Sequence, residues 1–276
     1  MGDFETIIYD KRGAILEITL NRPDQLNALS RQMEKELAQA WRDFEADDDL
    51  SVAIITGAGD KSFCAGADLK GWVAVGGVSV GKKLDRMGWD ALNKFTPYRA
   101  GTWKPVICAV NGMCVGAGLH FVHDSDIILA SENATFFDTH LGVGQVAAGE
   151  PIGLSRRMPL GIVMAMILLG KNYRLSAERA RALGLVLEVV PEGTVLERAR
   201  ELANIILKQA PIVTRISKKS VYYGLNLGLR DAFELGSYML QSAWGSPEGI
   251  EGPKAFAEKR DPSWLEHARP DDVATK

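Results

Sequence analysis

"NGMCVGAGLHFVHDSDI", residues 111–127, decides how this chain is read. Gly116, Ala117 and Gly118 stand between the β-rich run "PVICAVNG" and a helical segment that carries His120, and "DSDIILAS" then returns to strand. Strand, small-residue loop, helix and strand in that order predict parallel strands covered by helices. The stretch also poses a chemical question: whether His120, one turn into its helix, is a packing residue or a catalyst.

The same order appears on the N-terminal side. Thr6–Tyr9 and Ala14–Leu20 flank a charged turn ending in Gly13, a hairpin signal. Ser30 precedes Met33, Leu37, Ala40, Trp41 and Phe44 at three- and four-residue spacing, which predicts a capped amphipathic helix. "SVAIITGAG" follows as a buried strand closed by glycines. From Gly153 onward helical patterns dominate. "GIVMAMILLG" from Gly161 reads as a buried helix, too short for the ~18 apolar residues of a membrane span. Thr194 and Glu197 form a capping box, and Ser246-Pro247-Glu248 opens a helix through Phe256. Residues 1–190 are expected to form an α/β core and residues 191–276 a helical region. Lys70–Tyr98, rich in glycine and weak in pattern, is expected to be mobile.

Composition narrows the function. The chain has 276 residues, 46% hydrophobic and 24% charged, with a net charge of −3 mixed along its length. That balance fits a soluble globular protein without the concentrated basic face of a nucleic-acid binder or a polybasic membrane anchor. Cys64, Cys108 and Cys114 lack metal-ligand spacing and are odd in number, so no metal site or disulfide framework is expected. They fit a reducing cytoplasm, and the N-terminus has no signal-peptide core.

"GGVSVGKK", Gly76–Lys83, approaches a phosphate loop but has Lys83 where the magnesium-ligating hydroxyl belongs, and reads as a flexible glycine loop. "SFCAGADLK" and "VGAGLHF" are more informative. In each, small residues join a strand to a helix, so the backbone can approach a ligand and unpaired amides face outward. Two such amides aimed at one point would form an oxyanion hole, although glycines at such joints more often serve packing.

Together with "NRPDQLNALS" (residues 21–30), "LSAERARALGLVLEVVP" from Leu175 and "EGPKAFAEKRDPSW" from Glu251, these loops resemble the enoyl-CoA hydratase/isomerase, or crotonase, family. The matching segments keep the family's order over nearly the whole chain. The resemblance implies an α/β fold, a crotonase-like spiral of repeated ββα units, with a helical C-terminal region for trimerisation, often into hexamers. It implies an acyl-CoA thioester as partner, coenzyme A being part of the substrate, and no separate cofactor. Carried over by position, the oxyanion amides fall on Ala67 and Ala117, where alanine replaces a usual glycine. Arg22, Ala28, Asp68 and Leu69 would line the CoA channel, Ala65 would meet the adenine, and Phe256 and Lys259 would close over CoA from a neighbouring subunit.

The chain departs from the family at its acids. His120 stands where the hydratases carry one glutamate. Counting back four residues from Gly142, the position of the second glutamate falls on Asp138. A histidine in the first turn feels the positive end of the helix dipole and stays neutral, able to position or deprotonate water. Asp138 would be its ionised partner or a general base, shorter by one methylene, ~1.5 Å. Glu150 lies in a segment with a few extra residues and could reach the pocket as a further acid or base, against the plainer reading of an exposed loop carboxylate. His123 and His140 read as structural.

The expected activity is hydration of an enoyl-CoA, or the reverse, on a branched, cyclic or aromatic acyl group. The alternatives are thioester or ring-opening carbon–carbon hydrolysis, double-bond isomerisation, and CoA binding without catalysis.

Overall fold

After an N-terminal hairpin, three successive strand pairs each split their two members between two sheets in the computed structural model, which describes residues 4–74 and 94–264. β1 (Ile7–Arg12) and β2 (Ile15–Leu20) form the expected antiparallel hairpin around Gly13, whose φ is +59°. β3 (Val52–Gly57), β5 (Val106–Val110), β7 (Ile127–Ser131) and β10 (Glu188–Val190) extend it in parallel, in the order β1-β2-β3-β5-β7-β10. β3 and β5 are buried along their whole length, which explains their unbroken apolar runs.

The partner strands β4 (Ser62–Cys64), β6 (Met113–Val115) and β8 (Thr135–Phe137) lie parallel in a second sheet, with β9 (Leu175–Ser176) antiparallel at its edge. A helix follows each pair: α1 (Arg31–Ala46) after the hairpin, α2 (Leu69–Ala74) after β4, α3 (Leu119–Asp124) after β6 and α4 (Gly149–Leu154) after β8. These repeats are the ββα units of a crotonase-like spiral. Ser30 Oγ accepts a hydrogen bond from Met33 N at 3.1 Å, and the five predicted apolar positions of α1 are buried. α5 (Leu160–Leu169), α6 (Ala177–Ala182) and α7 (Val195–Ile206) complete this part, and Arg200 of α7 forks onto Glu17 of β2 at 2.6 and 2.7 Å.

The described residues divide into two compact units, one within Met1–Thr102 and Val106–Ala203, the other within Trp103–Pro105 and Asn204–Lys276. The second unit is helical, with α8 (Pro211–Gly224), α9 (Leu229–Ala243) and α10 (Pro247–Glu258). Ser246 caps α10 through Gly249 N, and the buried Glu248 carboxylate accepts the first-turn amides of Ile212 and Val213 at 2.9 Å each. No helix among the described residues is long and apolar enough to cross a membrane.

Two expectations change, and a third falls outside the described residues. α5 is not a buried helix: Val163 and Met166 are buried, whereas Leu160, Met164, Leu168 and Leu169 are exposed. An apolar run without periodicity predicts a helix but does not say which face is covered. α7 begins where the capping box was placed, but the Thr194 hydroxyl donates to the Pro191 carbonyl. The Gly76–Lys83 loop and much of Lys70–Tyr98 lie outside the described residues.

Asn27 ties the first motif to the sheets. It is fully buried at φ +56°, a left-handed conformation that asparagine tolerates. Its Nδ2 donates to the Ala58 and Ser62 carbonyls at 2.9 and 2.8 Å, while Oδ1 accepts from Arg22 N at 3.0 Å. Asn27→Ala leaves three backbone groups unpaired, and we expect it to destabilise the fold by about 1–3 kcal/mol in urea unfolding. A loss below ~0.5 kcal/mol, the scatter of an ordinary surface change, would contradict this role.

Candidate active site

Parallel pairing of β4, β6 and β8 brings their C-terminal ends side by side, and each delivers a different group. Cys64 is in register with Cys114, and Val115 with Phe137. The loops after these strands therefore start together: residues 65–67, residues 116–118, and Asp138–His140. Glycines permit the closeness. A Cβ on Gly66 would lie 2.9 Å from the Val115 carbonyl oxygen and 3.5 Å from Ala117 N, and one on Gly118 would lie 2.9 Å from the Cys64 carbonyl oxygen.

The Ala67 amide is aimed by a short parallel bridge. Leu29 N donates to Gly66 O at 2.8 Å and Asp68 N to Leu29 O at 3.0 Å, so the peptide groups flanking Ala67 face Leu29 and its own N–H points the other way. Ala117 sits in the first turn of the Gly116–Gly118 3-10 helix, where N–H groups have no partner within the helix. Among the described residues neither amide donates to a backbone carbonyl. Two half-buried, outward N–H groups on adjoining loops can stabilise negative charge on a carbonyl oxygen.

Arg22, Ala28 and Asp68 also meet. Arg22 donates to the Ala28 carbonyl at 2.6 Å and to Asp68 Oδ2 at 2.9 Å. The residues expected along a CoA channel in this part thus form one cluster, with half-buried Ala65 in the adjoining loop and half-buried Leu69 at the start of α2. Phe256 and Lys259 belong to the helical unit, where the Phe256 ring is 87% exposed.

The titratable residues form a connected string. His120 is 3% exposed, and both ring nitrogens are engaged: Nε2 lies 3.0 Å from Glu150 Oε1, and Nδ1 lies 3.0 Å from His123 Nε2. Asp138 is 2% exposed and does not pair with His120. Its Oδ1 accepts from His140 N, and its Oδ2 lies 2.8 Å from His140 Nδ1. The half-buried His140 presents Nε2 to Glu150 Oε1 at 3.6 Å, and its Cε1 lies 3.5 Å from where a Gly116 Cβ would stand. Glu150, at 4% exposure, is not a loop carboxylate in solvent. α4 carries it against α3, and two glycines make this possible. A Cβ on Gly149 would come within 2.6 Å of the His120 ring, and one on Gly153 within 2.3 Å of the His123 ring.

The string therefore places His120 behind Glu150 and Asp138 behind His140. The signal for His140 was in the sequence: four residues before Gly144, rather than Gly142, is His140. Valine precedes Gly144, so the family's leucine-glycine pair pointed to the other register. The signal for Glu150 was the spacing of Gly149 and Gly153, four apart on one helix face, opposite histidines three apart on another.

The electrostatics separate the groups. Burial lowers the pKa of His120, and the charges of His123 and Arg99 add to this, outweighing the Glu150 contact. The shift favours the neutral ring, and burial is its main cause. The hydrogen bond to Asp138 raises His140. Burial opposes ionisation of Glu150, yet the His120 hydrogen bond and the neighbouring imidazoles prevail and bring it down to about 2. Among the described residues no group of three or more His, Cys, Asp or Glu side chains could hold a metal ion.

A carboxyl group whose folded pKa is depressed stabilises the fold above its unfolded value and loses that contribution as pH falls. Glu150 should thus cost stability between about 4.5 and about 2. Glu150→Gln keeps an acceptor for His120 and should flatten that part of the urea-stability curve against pH. Superimposable acid limbs for the two proteins would contradict the assignment.

Residues 10–267 match the family model for enoyl-CoA hydratase/isomerase. The chain is 35% identical over 265 residues to the carnitinyl-CoA dehydratase of Salmonella heidelberg, covering 94% of this chain and 98% of that protein. It is 32% identical over 259 residues to the short-chain-enoyl-CoA hydratase of Clostridium acetobutylicum, covering 94% and 97%. The crystal structure of an enoyl-CoA hydratase/isomerase from Mycobacterium paratuberculosis superposes with a TM-score of 0.85 at 40% identity, over 95% of this chain and 99% of that one. Likeness of this extent runs through the loops as well as the strands that carry them, and the chain belongs to the enoyl-CoA hydratase/isomerase family, as an enzyme of the enoyl-CoA hydratase type.

Proposed function

We propose that this enzyme adds water across the double bond of an enoyl-CoA thioester, or removes it from the 3-hydroxyacyl-CoA, with Glu150 and His140 as its acid–base pair. The observation that carries this reading is the contact of Glu150 Oε1 with His140 Nε2 at 3.6 Å, beside the loop that bears the Ala117 amide. That separation exceeds a hydrogen bond and allows one water to touch both groups.

The steps follow from the charges. The thioester oxygen accepts from Ala67 and Ala117 N–H. Ionised Glu150 removes a proton from the water as its oxygen bonds to C3, and the electron pair of the double bond moves onto the thioester as an enolate. His140, held as imidazolium by Asp138, delivers its Nε2 proton to C2. The proton on Glu150 then passes to His140, which restores both groups. Each oxyanion-hole donor of this kind contributes about 10²–10³ in kcat. His120 and Asp138 act through their partners, His120 orienting Glu150 and Asp138 fixing the His140 tautomer.

The acyl group is read as branched, cyclic or aromatic because imidazoles replace the family's flexible glutamates at the acyl end. Arg22, Ala28, Ala65, Asp68 and Leu69 line the CoA channel in this reading, with Phe256 and Lys259 contributed by a neighbouring subunit. A homotrimer, or a pair of trimers, would cover apolar side chains exposed on the helical unit, among them Leu229, Phe233, Tyr238 and Trp244. Three buried free thiols fit action in the cytoplasm.

Mass spectrometry of straight, branched, cyclic and aryl acyl-CoA esters after incubation in heavy-oxygen water tests the proposal. A labelled hydroxyl in an intact thioester is expected, with Glu150→Gln lowering kcat at least 10²-fold. A labelled free acid or an opened ring would move the enzyme to hydrolysis. An unlabelled product of unchanged mass would mean isomerisation, and no product from any ester would leave CoA binding alone.

A further inference from the structure

The string does not end at His120. Behind it, His123 Nδ1 lies 2.8 Å from Asp124 Oδ1, and Asp124 Oδ2 accepts from Thr96 Oγ1 at 2.5 Å and lies 3.4 Å from Arg99 Nε. His123 and Asp124 are 7% and 5% exposed, so water does not compete for these contacts. Neither residue reaches the reacting atoms, and the mechanism above does not use them.

Counting hydrogens shows what they do. Glu150 to His120, His120 to His123, and His123 to Asp124 are three contacts at 2.8–3.0 Å, each requiring one hydrogen between its heavy atoms. Ionised carboxylates contribute none, and two neutral imidazoles carry one each. A third hydrogen must therefore reside on the imidazole pair. Its charge is balanced locally: two carboxylates face one shared proton and the Arg99 guanidinium.

We infer that His123 and Asp124 are positioning residues that hold an extra proton behind His120, so that His120 Nε2–H stays directed at Glu150 throughout the catalytic cycle. This deepens the hydratase reading and rests on it for its kinetic consequences. With the proton on His123, His120 is neutral, accepts at Nδ1 and donates at Nε2. Without it, only two hydrogens remain for three contacts. Two ring nitrogens would then meet lone pair to lone pair, or His120 would turn a lone pair on the Glu150 carboxylate. Either change moves the general base.

The charged groups around the pair agree with this placement. From α3 itself come Asp124 and the two rings, and from α4 comes Glu150. Arg99 and Thr96 approach from residues 94–102. Arg157 donates to the His123 carbonyl at 3.0 Å, and His140 with Asp138 lies beyond Glu150. Burial resists a charged Asp124, but the hydrogen bonds from His123 and Thr96 and the charge of Arg99 prevail and keep its pKa below the usual carboxylate range. Burial together with neighbouring positive charge keeps His120 the neutral member.

The test has two arms. The protein contains four histidines, so its imidazole ¹⁵N resonances can be assigned individually. Near neutral pH His123 should show both ring nitrogens protonated and His120 only Nε2. Two neutral rings at positions 120 and 123 would overturn the inference without reference to any turnover, so failure of the hydratase reading would be seen separately. The kinetic arm uses the pH profile of kcat/KM. Asp124→Asn should move its alkaline limb down by a unit or more. His123→Gln keeps a donor for His120 Nδ1 but cannot hold the proton, and should leave only the alkaline limb that His140 sets while lowering kcat more than KM changes. Equal rate losses at every pH with an unmoved limb would reduce both residues to packing roles.

Discussion

Parallel pairing of three short strands, β4, β6 and β8, is the constraint on which the rest depends. Each contributes only three residues, too few to be stable alone. They are held because each continues from a fully or largely buried strand of the larger sheet, so the larger sheet sets the register of the smaller one. The consequence is chemical. Parallel strands end at the same edge, and the backbone amides of two loops and the Asp138–His140 pair of a third arrive there together, as ligand sites do at the carboxyl ends of parallel strands, while α4 brings Glu150. Gly66, Gly116 and Gly118 keep side chains out of the narrow space between them.

In the proposed reading the edge supplies an oxyanion site from backbone alone, so side chains need only move protons. Buried histidines and carboxylates in alternation suit that task. Glu150 is pulled toward the charged form and His120 toward the neutral form, while His140 is biased toward its protonated form by Asp138. In the proposed reading a base and an acid therefore stand within reach of one water. In each case a buried second residue fixes the orientation of the one in front.

Much of this was legible in the sequence, and the parts that were not have a common cause. The hairpin, the Ser30 cap, the buried strands and the two small-residue loops follow from local periodicity and turn chemistry. The Ala67 and Ala117 amides were named by position from the family resemblance. The pairing of the buried titratable residues was harder, since which carboxylate meets which imidazole is decided by packing between α3 and α4. His120 and Asp138 were singled out by position, and the structure sets beside them Glu150, named as a possible further acid or base, and His140 and His123, read as structural. Glycines, not polar residues, record that contact, because Gly149 and Gly153 leave room for two rings. The exposed face of α5 was hidden for a similar reason, as an apolar helix carries no mark of the side it leaves open.

The most direct measurement is a crystal structure of the enzyme with a bound acyl-CoA analogue that mimics the enolate. The account predicts its oxygen at about 2.7–3.1 Å from both the Ala67 and Ala117 nitrogens, the distance of an oxyanion hole, with Glu150 and His140 flanking the carbons that correspond to C2 and C3. An oxygen remote from both amides, or His120 or Asp138 in place of Glu150 and His140 beside those carbons, would contradict it.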